Sequence, residues 1–561
     1  MLPRVCCLCA AVVPFLIAVG LTRVRPQSKV TDTAAEDAIH TPAGFQRPGK
    51  PMVASEATGT LEVEVVDPAG KPTSCRVNVV GADGNFYEPA SNPLAAWSLH
   101  RLGNRPDKGP FRYYGWFFYT NGSFKVKVPE GTTRIEVWKG YEFRPATITA
   151  KMSAGETRKM RIELRRTVAL AELGYYSGDT HIHMDRTTAA DDARALDLLA
   201  AEDIRFGFIL CMNDPRFYTG AMKRQIWPQT NGFGPTSIKE GGGYSIVSGQ
   251  EYRCSTFGHI CLFMHRRLVL EDETVDPNNW PVFGKVGLET RELGGFSFHA
   301  HGGYSREILA DFAQRTTDGV ELLQFAEYRG IALQGWYKIL NVGYRFPAVG
   351  ASDYPYCRAL GDCRTYARLA GNLSAAEWSR AAAAGKSFFT TGPLLLLDVD
   401  GKLPGDTIAR QGKGPHRVTA RVKARCDVTP LTHVEIIANG RPVKRLEIPR
   451  KQGMARWLEL DTPLDLSEPT WIAARAYSFA REGKPDAEAH TNPVYVTLDG
   501  KASYSRDDLD WLRARLDEQI AEQEKRRFPE RERVLEYYRR SRVELLKVRD
   551  AGGQSPADRR D

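Results

Sequence analysis

Residues 173–183 read Leu-Gly-Tyr-Tyr-Ser-Gly-Asp-Thr-His-Ile-His, a strand-like run that ends in two histidines. Side chains two positions apart on a strand point to the same face, so His181 and His183 are expected to share one face at the strand's end. Two imidazoles in that arrangement can bind one metal ion. The pair by itself is a weak signal, because the same spacing also arises by coincidence. A metal site is therefore predicted only if further ligand-type residues accompany this pair.

Short apolar runs alternate with helical stretches on the C-terminal side of this segment. Strands are predicted at Arg205–Cys211, Gly319–Phe325 and Arg345–Ser352. Helices are predicted at Ala189–Asp203 and Ser374–Gly385. Strand–helix alternation of this kind is typical of an α/β barrel or a layered α/β domain.

The regions on both sides of this alternation are β-rich. Leu61, Val63 and Val65 alternate with polar residues, and period-two runs separated by Pro- and Gly-bearing turns predict a β-sandwich. Strand patterns dominate again after Pro393, and leucine stripes predict helices near the C-terminus. The predicted organisation is a signal peptide at 1–20, a flexible linker at 21–56, an N-terminal β-sandwich at 57–166, a metal-binding barrel at 167–393, a C-terminal β-sandwich at 394–499, helices at 500–549 and a disordered tail at 550–561.

The N-terminus has the pattern of a secretory signal. No charged residue lies between Val5 and Leu21, and Ala18-Val19-Gly20 offers a cleavage site of small residues. The alternative is an uncleaved anchor, although the run is short for a spanning helix and contains Pro14. We expect an exported protein that is secreted, periplasmic or associated with the cell envelope, with no membrane span beyond that optional anchor.

Composition excludes several classes of protein. Of the 561 residues, 42% are hydrophobic and 26% are charged, which excludes wholesale disorder, collagen and coiled coil. A net charge of +9 without a basic stripe argues against a nucleic-acid partner, and so against a nuclease. No Gly-x-Ser-x-Gly motif occurs, so a serine nucleophile is not expected.

Further apolar runs end in residues of the metal-ligand type. In chain order these residues are Glu251, His259, the second His-x-His pair His299 and His301, and Asp353. Nitrogen and oxygen ligands of this kind suit Zn, Mn or Fe. Together with the first pair they predict a metal centre at the strand ends.

The motifs in this order resemble the PHP (polymerase and histidinol phosphatase) superfamily of metal-dependent hydrolases, and more closely its CehA/McbA-type metallohydrolases. The matching stretches are GDTHIH (178–183), GQEYRCSTFGHICLF (249–263), GGFSFHAHGG (294–303), GASDYP (350–355), LGDCRTYARL (360–369) and GKSFFTTGPLLLLDVDGKLPGD (385–406). The resemblance covers about residues 57–548. It implies a multidomain α/β plus β protein, with a PHP-like distorted (β/α)7 barrel flanked by two β-sandwiches and followed by a C-terminal helical segment.

The resemblance also implies ligand roles. One metal ion would be held by His181, His183, Glu251 and Asp353. Glu251 would bridge to a second ion held by His259 and His301. The cofactor is thus expected to be divalent metal, two ions or one, of Zn, Mn or Fe.

Two departures from the family argue against a third ion. Cys211-Met212-Asn213 stands where many members have Asp-His-Asn, and Pro355 stands where many have a histidine. Both missing histidines would serve the third ion. Their absence also weakens an assignment as a phosphatase.

The activity implied is hydrolysis of an ester-type bond in a small molecule (a carboxylic ester, carbamate or phosphoester) by a metal-activated hydroxide. Asp353, His299 or a water would protonate the leaving group. Substrate contacts are predicted for Asp185, Arg253, Tyr354 and Arg364, although the arginines have the alternative of pairing with buried carboxylates. The alternative function is a catalytically degenerate PHP-like binding protein of the cell envelope that recognises carbohydrate or another surface ligand.

Overall fold

The computed structural model describes residues 58–91, 117–213, 228–254, 256–269, 279–303, 307–322, 331–355, 358–479 and 485–550. These residues belong to one compact unit. The predicted signal peptide, the predicted linker and the tail from residue 551 lie outside the described residues. Within the described ranges, no helix is long and apolar enough to cross a membrane.

The first part of the chain forms two small sheets around a shared core. Its strands are β1 (Thr58–Val66), β2 (Cys75–Val80), β3 (Phe118–Thr120), β4 (Ser123–Pro129), β5 (Gly131–Trp138), β6 (Ala146–Met152) and β7 (Thr157–Glu163). One sheet has the order β4-β1-β7 and the other the order β3-β2-β5-β6. Leu61, Val63 and Val65 of β1 are buried in one cluster with residues of β2 and β5, so the apolar faces of the two sheets meet.

The middle of the chain mixes strands and helices. Its elements are β8 (Tyr175–Ile182), α1 (Ala189–Glu202), β9 (Phe206–Asn213), β10 (Lys239–Gly241), β11 (Tyr244–Cys254), β12 (Gly258–Phe263), α2 (Phe283–Glu292), β13 (Phe296–His299), α3 (Ile308–Gln314), β14 (Gly319–Glu321), α4 (Ala332–Asn341), β15 (Ala348–Val349), β16 (Arg364–Arg368), α5 (Ala375–Ala383) and β17 (Ser387–Thr390). Helix α1 begins with a capping box between Thr188 and Asp191, and α5 begins at the N-cap Ser374.

The last part returns to strands and ends in two helices. Its elements are β18 (Leu394–Val399), β19 (Thr407–Arg410), β20 (His416–Arg425), β21 (His433–Ala438), β22 (Arg441–Glu447), β23 (Leu458–Leu466), β24 (Thr470–Phe479), β25 (Pro485–Thr491), β26 (Val494–Leu498), α6 (Arg506–Glu524) and α7 (Arg531–Asp550). The sheet β18-β20-β23 contacts β24 and β25. Leucines of α6 and α7 are buried in one apolar cluster with residues of α2, α3 and α4.

The predicted distorted (β/α)7 barrel is wrong. Among the described residues, 41% lie in strands and 24% in helices, and the middle strands belong to one large curled sheet. Its order is β15-β14-β13-β12-β11-β9-β8-β16-β17-β25-β24-β21-β22, so it continues into the region that was predicted to be a separate C-terminal sandwich. The protein is predominantly β, with several sheets.

Strand direction explains the error. A barrel of β/α units requires parallel strands, each followed by a crossover helix. Here β12 is antiparallel to β11 and β13, and β16 is antiparallel to β8 and β17. Residues 255–257 are too few for a crossover, so β11 and β12 form a hairpin that pairs Cys254 with Gly258. The alternation of strands and helices along the sequence does not show whether neighbouring strands are parallel or antiparallel.

A buried ionic network links the first sheets to the middle of the chain. Glu202, at the end of α1, lies 3.2 Å from the Arg76 guanidinium and accepts a 2.9 Å hydrogen bond from the Tyr119 hydroxyl. Arg364 of β16 donates to the Glu202 backbone carbonyl at 2.8 Å. Arg76, Glu202 and Arg364 are all nearly inaccessible to solvent. The Glu202 carboxylate also lies 3.9 Å from the Arg364 guanidinium, so it balances two buried cations.

We expect Glu202→Ala to destabilise the protein strongly. It leaves Arg76 and Arg364 buried without their carboxylate, a change that typically costs about 3–5 kcal/mol in the free energy of unfolding. Guanidinium unfolding followed by tryptophan fluorescence measures the loss. The control Glu377→Ala removes an exposed partner of Arg380 and should leave the midpoint nearly unchanged. Equal effects of the two substitutions would contradict the importance of the network.

Candidate metal centre

The ends of several neighbouring strands bring together the six residues that the sequence proposed as metal ligands. His181 is in β8 and His183 follows it, while Glu251 and His259 come from the β11–β12 hairpin. The other two residues are His301, in a short 3₁₀ turn after β13, and Asp353, in the loop after β15. Five of the six are buried and His259 is partly exposed, so the cluster is largely shielded from water.

His181 and His183 form the centre of the cluster together with two carboxylates. Their Nε2 atoms are 3.1 Å apart. Oδ1 of Asp353 lies 3.4 Å from each of these nitrogens. The two oxygens of Glu251 lie 3.6 Å from His181 Nε2 and 3.4 Å from His183 Nε2. Four ligand groups therefore converge on one small volume.

The same two carboxylates also face a second pair of histidines. Oε1 of Glu251 is 2.8 Å from Nδ1 of His259 and 3.7 Å from Nε2 of His301. Oδ2 of Asp353 is 3.8 Å from Nε2 of His301. The groups His181–His183–Glu251, His181–His301–Asp353 and Glu251–His259–His301 each have ligand atoms close enough to hold a metal ion. His181, Glu251 and His301 each belong to two of these groups, so the groups share ligands, and the Glu251 carboxylate contacts histidines on both sides.

The outer nitrogens of the central pair are both held by acceptors. Nδ1 of His183 is 2.8 Å from the backbone carbonyl of Leu210, and Nδ1 of His181 is 3.0 Å from Oε2 of Glu321. A carbonyl or carboxylate oxygen accepts a hydrogen bond, so each Nδ1 carries the proton and each Nε2 points a lone pair into the cluster. Two lone pairs at this separation repel each other unless a proton or a cation lies between them.

The electrostatics of the cluster favour a positive occupant. Burial raises the pKa of a carboxyl group, yet His259 and Arg253 hold the pKa of Glu251 well below its usual value. The pKa of Asp353 is also lowered, against the effect of burial, by the charges of His181 and its neighbours. Both carboxylates are therefore ionised in a dry site. A buried anion is costly unless a positive charge compensates it, and a divalent cation would do so.

The pKa values of His181 and His183 are raised, whereas burial lowers the pKa of His259 to about 4. Burial alone lowers a histidine pKa, but the Cys261 thiol together with Glu321 raises that of His181 well above its usual value. Hydrogen bonding to Asp353 raises the pKa of His183 against the same burial effect. Nitrogen and oxygen donors in this number suit Zn, Mn or Fe, so the residues present fit a divalent ion of this class.

Two members of the cluster have an unusual backbone. His301 has φ 55° and Asp353 has φ 51°, the left-handed region that non-glycine residues rarely adopt. The carboxylate of Asp179 holds the loop before Asp353 by accepting from the backbone N–H of Ser352 at 3.0 Å and of Gly361 at 3.0 Å. Strain of this kind persists only where surrounding contacts fix it, and it concentrates at functional sites.

His299 is not brought into the cluster. Its Nε2 lies 3.0 Å from Oδ2 of Asp311, and its ring packs near Phe283. After β13 the chain enters the 3₁₀ turn, so the strand alternation that would place His299 and His301 on one face does not continue. The predicted role of His299 as a proton donor has no support from this geometry.

The four predicted substrate contacts lie in different places. Arg253 is beside the cluster, with its Nε 3.1 Å from Nε2 of His259. Asp185 is exposed and accepts from the backbone N–H of Gln229. The Tyr354 side chain is buried in an apolar cluster, and Arg364 is in the network with Glu202. Of the four, Arg253 is therefore the one that adjoins the cluster and remains partly exposed.

Sequence reasoning missed the groups that contact the outer nitrogens of the two central rings. Glu321 ends the apolar strand β14 and is completely buried, which is the same signal that identified Asp353. Cys261 lies 3.2 Å from Nδ1 of His181, on the outer side of that ring. The carbonyl of Leu210 carries no side-chain signal at all, so sequence could not have identified it.

We expect Zn²⁺ to stabilise the folded protein. A ligand that binds only the native state adds about 2.7 kcal/mol at a free concentration one hundred times its Kd. The midpoint of thermal unfolding, measured with chelator and then with increasing Zn²⁺, should rise for the wild type and not for His181→Ala.

His416→Ala is the matched control, because His416 bonds the Gly412 carbonyl away from the cluster. It should keep the full response to Zn²⁺. A wild type that does not respond, or a response that survives in His181→Ala, would contradict a metal centre at these residues.

Comparison with known proteins adds no assignment. No protein-family model matches the chain, and no curated protein matches it.

Proposed function

We propose that this chain is an exported metal-dependent hydrolase that cleaves an ester-type bond in a small molecule. The observation that carries the proposal is the buried convergence of His181, His183, Glu251 and Asp353, with facing Nε2 atoms 3.1 Å apart. The order of the ligand motifs, which resembles that of PHP-type metallohydrolases, supports the proposal independently of the fold.

We propose a site for two divalent ions of Zn, Mn or Fe. His181, His183, Glu251 and Asp353 would hold one, while Glu251, His259 and His301 would hold the other. The shared position of Glu251 supports this division, since its oxygens approach histidines of both halves. When bound, such ions make a water nucleophilic at neutral pH and offset negative charge that develops on oxygen.

Residues of the chain are proposed to contact the substrate and to transfer protons during cleavage. Arg253 is partly exposed beside His259, so its guanidinium can contact an oxygen of the substrate. The carboxylate of Asp353 lies at the centre of the cluster and can accept and return a proton during cleavage. We assign the leaving-group proton to Asp353 or to water rather than to His299, which is paired with Asp311.

One observation favours the alternative of a binding protein without turnover. Tyr354 and Arg364, two of the predicted substrate contacts, are buried in packing roles, and His299 is outside the cluster. A chain with these features could keep metal for recognition only. The two functions differ in whether Asp353 is needed for turnover or only for metal binding.

We expect metal-loaded protein to hydrolyse at least one of p-nitrophenyl acetate, an aryl carbamate and p-nitrophenyl phosphate. Asp353→Asn should lower kcat/KM about a hundredfold or more, because a carboxylate that handles protons typically contributes at least that factor. Asp465→Asn is the matched control, since Asp465 is an exposed partner of Arg417. It should retain wild-type rates.

Metal content is measured on the same samples. Metal-loaded wild type without turnover on the panel would favour the binding protein. Turnover that is equal in Asp353→Asn and wild type would place the chemistry elsewhere and overturn the assignment.

A further inference from the structure

Glu321 is a buried carboxylate on the outer side of the cluster, next to the His181 ring. It ends β14, and its side chain is completely buried. Its Oε2 is 3.0 Å from Nδ1 of His181. The same oxygen accepts a longer hydrogen bond, 3.4 Å, from the backbone N–H of His301. Glu321 therefore contacts one residue from each half of the cluster from the outer side, where its carboxylate, Nδ1 of His181 and the Cys261 thiol also lie close enough together to hold a metal ion.

Burying the Glu321 carboxylate is expected to lower the stability of the fold, so its presence calls for another explanation. Its second oxygen, Oε1, is buried and has no hydrogen-bond partner among the residues that the structure describes. A half-satisfied buried carboxylate is costly, and an apolar residue of similar volume is often as stable or more so. The two hydrogen bonds of Oε2, to His181 and to the backbone of His301, are the contacts that an apolar residue could not make.

The contact with His181 controls where that ring directs its lone pair. A carboxylate accepts the Nδ1 proton and so directs the Nε2 lone pair toward His183 and Asp353. The thiol of Cys261, 3.2 Å from the same Nδ1, has the opposite capability, since S–H can donate to it. If the S–H donated a hydrogen bond to Nδ1, that nitrogen would be the acceptor and the ring proton would be on Nε2, inside the cluster. Glu321 opposes that arrangement.

The contact with His301 concerns the backbone rather than the ring. His301 has φ 55°, and its N–H is directed to Glu321. The turn that carries His301 follows β13, while Glu321 belongs to the neighbouring parallel strand β14. The hydrogen bond thus fixes the strained residue relative to the sheet.

We propose that Glu321 is a positioning residue that orients His181 and His301 together and so couples the two halves of the metal centre. This inference rests on the proposed metal site, and it adds a residue that holds the ligands rather than one that binds metal or substrate. Partners of this type typically change metal affinity by 10–100-fold when they are removed.

The test measures Zn²⁺ affinity of the full chain by competition with a chromophoric chelator. Glu321→Ala should weaken binding about 10–100-fold. Glu321→Gln keeps an oxygen that can accept from Nδ1, so it should recover most of that loss. Unfolding of the metal-free proteins, followed by circular dichroism, shows whether each variant is folded.

Cys261→Ala is the matched control, because it removes the other neighbour of the same Nδ1. It should bind Zn²⁺ with an affinity close to that of wild type. Equal losses in Cys261→Ala and Glu321→Ala would overturn the proposal, since any change of packing behind His181 would then have the same effect. Wild-type affinity in Glu321→Ala would overturn it as well.

The result separates this inference from the proposed function. Wild type that fails to bind Zn²⁺ would overturn the metal site and the positioning role together. Wild type that binds, with Glu321 variants that bind equally well, would overturn the positioning role and leave the metal site intact.

Discussion

The close approach of the Nε2 atoms of His181 and His183 is the contact on which the rest of the site depends. Both rings have their outer nitrogens bound to acceptors, so the inner nitrogens face each other with lone pairs at 3.1 Å. Such a pair is stable only with a positive species between the rings. The ionised carboxylates of Glu251 and Asp353 also require a positive charge nearby. The site is therefore organised around positive charge, which protons or divalent ions can supply.

The hairpin that excludes a parallel barrel also builds the site. Because β11 and β12 are antiparallel, Glu251 is opposite Cys261 and Arg253 is opposite His259. Directly opposed and next-but-one residues share a face of the sheet, so these four side chains lie on the same side. One short connection thus places a bridging carboxylate, a histidine ligand and a cationic side chain next to one another. A crossover helix at this point would have separated Glu251 from His259.

The six candidate ligands could be predicted from the sequence because each is a metal-binding residue type within or close to a strand-like run; His259 begins its strand rather than ends it. The direction of the strands could not, since alternation of strands and helices is similar in parallel and mixed sheets. The three-residue connection before Gly258 was the available clue. Arg364 was predicted to contact substrate but is buried beside Glu202. The local sequence does not distinguish a substrate-binding arginine from one that pairs with a carboxylate distant in the chain. Ring orientation depends on a backbone carbonyl, which no sequence pattern reveals.

The most direct test of the account is anomalous diffraction from a crystal of the full chain grown with Zn²⁺. We expect a peak about 2.0–2.1 Å from the Nε2 atoms of His181 and His183, the usual Zn–N distance, with Asp353 and Glu251 completing the coordination. A second peak near His259 and His301 would identify the second ion. Well-ordered side chains with no anomalous peak among them, or a peak bound by other residues, would contradict the central claim that this cluster is a metal centre.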